Sequence, residues 1–382
     1  MQKLKVLQFT ISNSKGGRSQ YVLNNLRFID RKKFRFDFVT FSPKIDYEDE
    51  LTSLGCKIHY VTCYPEENEI QFIKEFKVIL SYNYDVIHIH TGFWKSFIVE
   101  KLSREAGIPL IIVHSHNSGC FHAENCTDEN IDFIEHMRLR DLIAPEMADR
   151  YMACSRVASE WLFGDKILKD EIVLLKNAID TDKFSFNDVV RNQYRKELNI
   201  DEKFVLGNVG RMEYQKNHEF LIEVFEAISK VIDDAVLLLV GDGKKRYEIE
   251  EIVEKKNLQK RVIMLGKRDD TNRLMQTMDL FLLPSRFEGF PIVLVEAQTA
   301  GLPCIVSDQV TEEAKITSLV EYCSLKCDEW LERIKRKYFM IKGTAAEYKR
   351  RDMSKEITEA GFNIREQIKA LESIYSQKVS AE

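Results

Sequence analysis

The amino-acid sequence predicts an α/β protein built from two successive series of strands and helices. The first observation is an alternation of short apolar runs with amphipathic helical patterns, such as LKVLQFT followed by SQYVLNNLRFI. This alternation is typical of βαβ units around a parallel sheet. The second observation is that the alternation starts afresh beyond residue 172. The third is the length of 382 residues, which is enough for two domains with separate cores.

The strand candidates fall into two groups. The first group comprises LKVLQFT, FRFDFVTF, KIHYVTC, DVIHIHT, PLIIVHS and RYMACS, and the second comprises FVLGNVGR, AVLLLVGDG, RVIMLG, DLFLLPS and LPCIVS. Helical patterns such as NEIQFIKEFKVILSY and NHEFLIEVFEAISKVI lie between them, and EITEAGFNIREQIKALESIY predicts one or two further helices. We therefore expect an N-terminal Rossmann-like domain at 1–172, a C-terminal one at 173–360, and a last helix at 361–382 that returns to the first domain.

Composition excludes several classes of protein. The formal net charge of −5 gives no basic bias of the kind that nucleic-acid binders carry. The cysteines are scattered and lack the paired spacing of a zinc site, so reduced thiols of a cytosolic protein are expected. The N-terminal apolar run is too short for a signal peptide, and no window approaches a membrane span. We expect a cytoplasmic protein with at most peripheral contact at the inner face of the membrane.

One segment could provide such contact. The stretch TGFWKSFIV, residues 91–99, is a candidate apolar patch, and a buried helix start is the stronger alternative.

Two cations follow the strand candidate FVLGNVG. Arg211 lies directly after it, and Lys216 lies just before a helix that is expected to begin near Asn217. Arginine binds a diphosphate bidentately and lysine supplies a point charge, so the pair suits a diphosphate ligand. Two solvated surface charges are the alternative interpretation.

Glycine turns follow two other strand candidates. Gly16 and Gly17 in SNSKGGRSQ would let the backbone approach a ligand at the start of the next helix. The GDG that follows LLLV lacks the third glycine of a dinucleotide fingerprint, so a tight turn is the simpler interpretation. No GxxxxGK[ST] phosphate loop occurs.

The stretch SRFEGFPIVLVEAQTAGLP predicts a helix with an anion site at its start. Pro291 suits the first helical turn, and Gly301 suits the position just past the helix end. The unpaired N–H groups of that first turn, together with Gly289 and Phe290, would favour an anion.

Two glutamates flank this helix start, Glu288 before it and Glu296 within it. Each carboxylate offers two acceptor oxygens and can therefore hold a diol. Glu288 would meet a polyol beside the anion, and Glu296 a second diol such as a ribose. The alternative is one glutamate at the helix dipole and one solvated on the helix.

RFEGFPIVLVEAQTAGLP resembles the E-x7-E signature of the retaining, nucleotide-sugar-dependent glycosyltransferases of family 4, which have the GT-B fold. VGRMEYQKN, LLLVGDG, VIMLG, DLFLLPS and KNAIDTDKF resemble further segments of that family. ACSRVASEWLFG and HSHNS are similar to its bacterial capsular and exopolysaccharide transferases. The resemblance implies two Rossmann-like domains that face each other across a cleft.

The resemblance also implies roles for particular residues. Arg211 and Lys216 would hold the donor diphosphate, and Glu296 would hold the ribose. Glu288, with the backbone of Gly289 and Phe290 ahead of Pro291, would meet the donor sugar and its phosphate. The loop from Gly266 to Arg268 would face the base.

Histidines of the first domain enter by the same resemblance, because family members carry one that contacts the donor sugar. PLIIVHSHNSG offers His114 and His116 on one face of an extended segment. We favour His116, which lies further past the strand end, and a core position is the stronger alternative for His114. With His88 and His90 of DVIHIHTGFW, His114 is also a candidate for the acceptor side.

The Asp180-Thr181-Asp182 triplet looks like a metal-binding D-x-D motif of another fold. It matches instead an interdomain turn of family 4, with Ala178 where glycine is usual, and we expect a turn. Family members neutralise the leaving diphosphate with Arg, Lys and helix N-termini, so neither a metal nor another cofactor is implied.

The function implied is transfer of a hexose or N-acetylhexosamine, with retention, in capsule or exopolysaccharide biosynthesis. The donor would be a nucleotide diphosphate sugar, UDP-linked, and the acceptor a glycan or lipid-linked sugar. One alternative is a GT-B epimerase that releases free UDP from UDP-GlcNAc. Another is a catalytically silent partner subunit, against which the intact set Arg211, Lys216, Glu288 and Glu296 argues. The missing GxGxxG disfavours a dehydrogenase.

Overall fold

The structure, a computed structural model, describes residues 3–13, 16–117, 131–342 and 349–377. It divides into two compact units. Unit 1 comprises Met1–Ala178 with Ile364–Glu382, and unit 2 comprises Ile179–Asn363. The expected boundaries, after residues 172 and 360, lie slightly before these.

Unit 1 contains a seven-stranded parallel sheet. Its strands are β1 (Leu4–Ile11), β2 (Phe34–Thr40), β3 (Ile58–Tyr60), β4 (Val86–Thr91), β5 (Leu110–Ser115), β6 (Arg150–Ala153) and β7 (Ile172–Leu174). The strand order is β3-β2-β1-β4-β5-β6-β7, so the order reverses between β1 and β4. Its first helices are α1 (Gly17–Phe28), α2 (Glu48–Ser53), α3 (Glu69–Leu80), α4 (Ile98–Glu105), α5 (Ile131–Asp141) and α6 (Arg156–Phe163).

Unit 2 contains a six-stranded parallel sheet. Its strands are β8 (Phe204–Val209), β9 (Ala235–Val240), β10 (Val262–Met264), β11 (Leu280–Leu283), β12 (Cys304–Ser307) and β13 (Val320–Cys323). The strand order is β10-β9-β8-β11-β12-β13, which reverses between β8 and β11. Its helices are α7 (Thr181–Phe184), α8 (Asp188–Glu197), α9 (His218–Ser229), α10 (Arg246–Lys255), α11 (Thr271–Thr277), α12 (Ile292–Thr299), α13 (Cys327–Lys342) and α14 (Ser354–Glu359). The last helix, α15 (Ile364–Ser376), belongs to unit 1.

The two faces of the unit 1 sheet differ in polarity because side chains alternate along each strand. Odd-numbered positions of β1, β4 and β5, such as Leu7, Ile87 and Ile111, lie in the apolar core. Even-numbered positions carry Gln8 and three histidines. The ring of Tyr21 from α1 packs against this polar face, and so does the ring of Tyr375 from α15. The polar face is therefore buried as well.

In unit 2, the reversal of strand order determines where the connecting loops meet. Strands β8 and β11 pair in parallel, so the chain leaves both at the same edge of the sheet. The loop after β8 carries a short 3₁₀ turn, Tyr214–Lys216, and the loop after β11 carries Glu288. Ligands of open α/β sheets collect at such reversal points.

In helix α12, the glycine lies just past the helix end, as predicted, and the proline, which was predicted in the first helical turn, lies one residue before it. Pro291 is the N-cap residue, and the helix begins at Ile292. Gly301 follows the helix with a φ of +68°, and a Cβ there would lie 1.9 Å from the carbonyl oxygen of Arg351. The turn therefore requires glycine for both its backbone angle and its close approach.

None of the helices in the described ranges is both long and apolar enough to cross a bilayer. Residues 91–99 lead into α4. Trp94 is 3% exposed and its indole N–H donates to the carbonyl oxygen of Leu162 at 2.7 Å. Trp94 and Val99 are buried, Lys95 is exposed and the rest of the segment is half-buried, so the alternative of a buried helix start holds only for part of it.

Candidate functional site

A buried ion pair occupies the reversal point of unit 2. Lys216 Nζ lies 2.6 Å from Glu288 Oε1, and their side chains are 14% and 8% exposed. The Ser285 hydroxyl donates to the same oxygen at 2.7 Å, and the Gln215 amide donates to Glu288 Oε2 at 3.2 Å. Both oxygens of Glu288 therefore accept hydrogen bonds from the protein.

This arrangement differs from the role expected for Glu288, which was a direct contact with a donor sugar. The carboxylate is buried and already bonded, because the loops after β8 and β11 bring Lys216 onto it. Glu288 instead contacts Lys216 in this structure. A lysine ammonium has three N–H groups, so Lys216 can still donate to a ligand.

Gly210 makes room for the lysine. A Cβ at Gly210 would lie 3.2 Å from Lys216 Cε, so the methylenes of Lys216 pass over this glycine. Gly241 packs beneath with a φ of +141°, and a Cβ there would lie 1.9 Å from the Gly210 carbonyl oxygen. The GDG segment is thus a packing turn that supports the Lys216 loop, which confirms the simpler interpretation.

The two arginines expected in the site differ. Arg211 is exposed and makes no ion pair within the described part of the chain. Arg268 is also exposed, but its guanidinium binds Asp270 bidentately at 2.8 and 2.6 Å. Gly266, with a φ of +64°, accepts the Gly241 N–H at 2.8 Å. Of these two arginines, Arg211 is therefore the one without an ion-pair partner among the described residues.

Glu296 lies in the second turn of α12 and is half-buried. Its backbone carbonyl accepts the Ala300 N–H, and its carboxyl group makes no hydrogen bond among the described residues. Burial raises the pKa of its carboxyl to about 7, while Lys183 and Lys216 act in the opposite direction. Glu296 is half-buried, so the alternative of one glutamate at the helix dipole and one solvated on the helix does not match its position.

The segment ahead of α12 is anchored by an aromatic contact. The ring of Phe290 stacks on that of Phe362 at 5.3 Å between centroids. Gly289 and Pro291 flank this anchor and lead directly into α12. The first N–H groups of α12 have no partner within the helix, as at any helix start, so the geometry suits an anion there.

The glycine pair of unit 1 lies at the start of α1. Gly16 is the N-cap residue and Gly17 the first helical residue. A Cβ at Gly17 would meet nothing within 4 Å, so there is open space beside it. A ligand contact at this pair remains a prediction.

Four histidines of unit 1 form hydrogen-bonded pairs. His88 Nε2 lies 3.1 Å from His114 Nδ1, and His90 Nδ1 lies 2.9 Å from His116 Nε2. Gln8 connects the pairs, because its Oε1 lies 2.6 Å from His90 Nε2 and its Nε2 donates to the Tyr375 hydroxyl at 3.2 Å. That hydroxyl lies 2.7 Å from His88 Nδ1.

Three of these histidines do not suit the acceptor side. His88, His90 and His114 are 0%, 2% and 0% exposed, because their strand positions point under α1 and α15. Direct contact with an acceptor is incompatible with this burial, and the core alternative for His114 is confirmed. His116 is the half-buried member of the set, and its contact with a donor sugar stays a prediction.

The histidines are neutral. Burial lowers the pKa of His114 to about 3. It lowers the pKa values of His88, His90 and His116 well below 6.5, assisted by neighbouring imidazoles and, for His90 and His116, by the charge of Arg18. The Arg18 guanidinium also donates to the His90 carbonyl oxygen at 3.2 Å.

By donor type and spacing, a metal ion could also occupy this cluster. His88, His90 and His114 each offer a nitrogen, and these nitrogens lie within 4.8 Å of one another. Only His114 Nε2 among their ring nitrogens lacks a hydrogen-bond partner in the described chain. A bound ion would have to displace these bonds. Elsewhere, Asp180 is the N-cap residue of α7 and Thr181 and Asp182 are its first two residues, so the triplet forms a short helix start where a turn was expected.

The sequence analysis did not identify the residues that hydrogen-bond to the predicted site residues. Ser285 and Gln215 give no signal beyond their loops, since each is an ordinary polar residue. Gln8 was detectable as a polar residue in the apolar run LKVLQFT, and Arg18 follows the glycine pair directly. Tyr375 could not be found, because nothing in its helix indicates contact with β1 and β4.

Comparison with known proteins identifies the family of this chain. Residues 16–178 match the family model for the glycosyl transferase 4-like domain, and residues 190–318 match that for glycosyl transferases group 1. EpsF of Bacillus subtilis (strain 168), a provisionally named glycosyltransferase, is 32% identical over 381 residues, covering 97% of this chain and 96% of its own.

A second relative and two solved structures extend the comparison. An Escherichia coli UDP-Gal:alpha-D-GlcNAc-diphosphoundecaprenol alpha-1,3-galactosyltransferase is 26% identical over 324 residues, 80% of each chain. HepE from Anabaena, solved with UDP and glucose, has a TM-score of 0.77 at 18% identity, covering 99% of this chain and 100% of its own. WaaG, a glycosyltransferase involved in lipopolysaccharide biosynthesis, has a TM-score of 0.74 at 15% identity, covering 98% and 100%. At these identities the structures establish the fold alone.

Proposed function

Because the chain belongs to the family 4 glycosyltransferases of GT-B fold, we propose that it moves a hexose or N-acetylhexosamine from a UDP-sugar to a sugar hydroxyl. The acceptor is a glycan or lipid-linked sugar of polysaccharide biosynthesis. The anomeric configuration is retained. The protein works in the cytoplasm, at or near the inner face of the membrane.

The observation that carries this proposal is the charged reversal point of unit 2. Lys216 is held at 2.6 Å from Glu288, and the exposed Arg211 lies in the same loop. Departure of the diphosphate is the costly step of glycosyl transfer, and preorganised cations stabilise the charge that develops on it. The start of α12 adds further N–H donors to this set.

The reaction uses side-chain cations in place of a metal in this proposal. Arg211 and Lys216 hold the diphosphate, and Glu288 keeps the Lys216 ammonium in position. Glu296 receives the ribose diol. The departing phosphate oxygen accepts the proton of the attacking hydroxyl, as is thought for many retaining enzymes of this fold. From unit 1 we keep His116 as the candidate for a sugar contact.

Related proteins support the choice of UDP and of a lipid-linked acceptor. HepE has been solved with UDP and with UDP-glucose. The name of the Escherichia coli relative specifies UDP-Gal as donor and a diphosphoundecaprenol-linked GlcNAc as acceptor. This chain covers 80% of that relative, so the same chemical classes are our first candidates.

The test is acceptor-dependent release of UDP. Purified protein is incubated with UDP-glucose, UDP-galactose, UDP-GlcNAc or UDP-GalNAc, with and without a lipid-diphosphate-linked GlcNAc acceptor and with EDTA present. We expect UDP release only with acceptor, undiminished by EDTA, and an α-linked product by NMR. Release of UDP from UDP-GlcNAc alone, with an epimerised sugar, would show the epimerase instead.

A further inference from the structure

The direction of the hydrogen bonds around Gln8 is fixed by its carboxamide. An amide nitrogen only donates and an amide oxygen only accepts. Gln8 Oε1 lies 2.6 Å from His90 Nε2, so that ring nitrogen carries the proton. Because buried His90 is neutral and has one ring proton, its Nδ1 is unprotonated.

The same reasoning passes from His90 to His116. The unprotonated His90 Nδ1 accepts a hydrogen bond at 2.9 Å, so His116 Nε2 is the donor. His116 is neutral too, and its single proton is therefore on Nε2. Its Nδ1 keeps a lone pair, has no hydrogen bond among the described residues, and belongs to a half-buried ring.

The other arm of the network runs in the opposite sense from Gln8. The Tyr375 hydroxyl accepts from Gln8 and donates its own proton to His88 Nδ1 at 2.7 Å. His88 Nε2 then donates to His114 Nδ1 at 3.1 Å. The remaining proton is on His114 Nε2, which has no partner. One carboxamide thus sets the tautomers of His90 and His116 and, with the Tyr375 hydroxyl as the donor to His88 Nδ1, those of His88 and His114.

We propose that Gln8 and His90 are positioning residues that hold His116 as the Nε2–H tautomer, so that His116 Nδ1 accepts a hydrogen bond from a hydroxyl of the sugar substrate. The identity of the ligand rests on the proposed function; the tautomer does not. Arg18 contributes because its guanidinium donates to the His90 carbonyl oxygen, and its positive charge opposes protonation of His116. His116 is accordingly a hydrogen-bond acceptor and neither a cation nor a donor at Nδ1.

The direct test is the protonation of the imidazole nitrogens in the full-length protein. Protein labelled with ¹⁵N-histidine is studied by long-range ¹H–¹⁵N NMR. We expect an unprotonated Nδ1 and a protonated Nε2 for His116 at neutral pH. Gln8→Met removes the acceptor of His90 while nearly keeping side-chain length, so the His116 proton should redistribute between its two nitrogens.

Tyr375→Phe is the matched control, because it breaks the other arm of the same network. It should change the His88 and His114 signals and leave the His116 tautomer as in the wild type. Adding UDP-glucose should shift the His116 Nδ1 signal in the manner of a new hydrogen bond, whereas UDP alone should not. With a donor that the enzyme turns over, Gln8→Met should lower kcat about three- to tenfold, which corresponds to the loss of one neutral hydrogen bond. The affinity for UDP should stay unchanged.

Several outcomes would overturn the proposal. These are a proton on His116 Nδ1 in the wild type, a His116 signal indifferent to Gln8→Met, or a His116 Nδ1 that UDP-glucose and UDP leave equally unchanged. Stoichiometric metal in the purified protein, with loss of the imidazole N–H signals, would replace the network by a metal site. If the tautomers behave as stated but no sugar is transferred, the proposed function fails and the assignment of protons stands.

Discussion

The two sheets bury polar groups at corresponding places, where strand order reverses, but they compensate that burial differently. In unit 2, Lys216 and Glu288 carry opposite charges that compensate each other at 2.6 Å. In unit 1, Gln8 and the histidines carry no charge, and hydrogen bonds compensate their burial except at His114 Nε2, which has no partner among the described residues. Buried polar groups require one or the other solution. The difference matches the ligands proposed, since cations stabilise a diphosphate and a sugar hydroxyl can donate to an uncharged acceptor.

The largest expected effect is that acid unfolds unit 1 before unit 2. Unit 1 holds six of the described histidines with lowered pKa values, namely His59, His88, His90, His114, His116 and His136, and unit 2 holds His218. Below pH 6.5 the unfolded chain binds protons that these folded sites do not bind. Stability therefore falls as pH falls, by up to about 1.4 kcal/mol per pH unit for each histidine.

Hydrogen exchange by mass spectrometry between pH 7 and 5, corrected for the intrinsic rate, measures this difference. Amides of β4 and β5 should lose protection at a higher pH than those of β8 and β11. Loss of protection in both sheets at the same pH would remove the distinction between them.

The next effect in size comes from breaking the ion pair. Lys216→Met leaves the Glu288 carboxylate buried without its cation, which should lower the free energy of unfolding by about 3 kcal/mol. UDP affinity should fall as well. Urea denaturation and calorimetric titration give the two quantities.

A double variant separates the two roles of Lys216. Adding Glu288→Gln to Lys216→Met removes the stranded charge, so most of the stability should return while UDP affinity stays low. Recovery of UDP binding together with stability would show that Lys216 acts only on the fold.

A smaller effect concerns the pH dependence contributed by Glu296. The pKa of its carboxyl is about 7 in the folded protein, above its ordinary value of 4.5. The proposed ribose contact is expected to be strongest with the carboxylate form, which offers two acceptor oxygens. UDP affinity should weaken as pH falls below 7, by up to about tenfold per pH unit. At every pH, Glu296→Gln should bind UDP as weakly as the wild type binds it at low pH. Protonation of the UDP phosphate changes the affinity of both proteins equally. Parallel pH profiles for the two proteins would rule out the ribose contact.

The smallest expected effect on the fold is that of Gly17→Ala. A Cβ there meets nothing, and the first helical position tolerates alanine, so stability should stay the same or rise by about 0.5 kcal/mol. Any loss of turnover would then report on a ligand beside the start of α1. Wild-type kinetics in this variant would remove Gly17 from the site.

Sequence alone predicted most strands because long apolar runs mark buried parallel strands. It missed β13, Val320–Cys323, whose four residues include two that are only half-buried, and β7, which has three residues. The loops that carry Lys216 and Glu288 were both predicted to lie in the site. The ion pair between Lys216 and Glu288 was not predicted, because it forms only when β8 lies beside β11. Neither loop sequence determines the order of the strands.

The histidines illustrate the same limit. Alternation in DVIHIHT and PLIIVHS places each pair on one face of its strand, which the sequence shows directly. The register that sets His90 beside His114, and the helix that brings Tyr375 onto them, are properties of the folded chain. The sequence therefore predicts that these histidines share one face of their strands, but it does not predict that this face is buried.

The most direct measurement of the central claim, that charges of unit 2 hold the donor diphosphate, is UDP affinity in Arg211→Ala. Arg211 is exposed and makes no ion pair within the described ranges, so its removal should leave the melting temperature unchanged. Loss of a charged hydrogen bond should weaken UDP binding by about 1.5–3 kcal/mol, roughly ten- to a hundredfold in Kd. Uridine, which has no phosphate, should bind the variant and the wild type alike. An unchanged Kd for UDP in this variant would contradict the account.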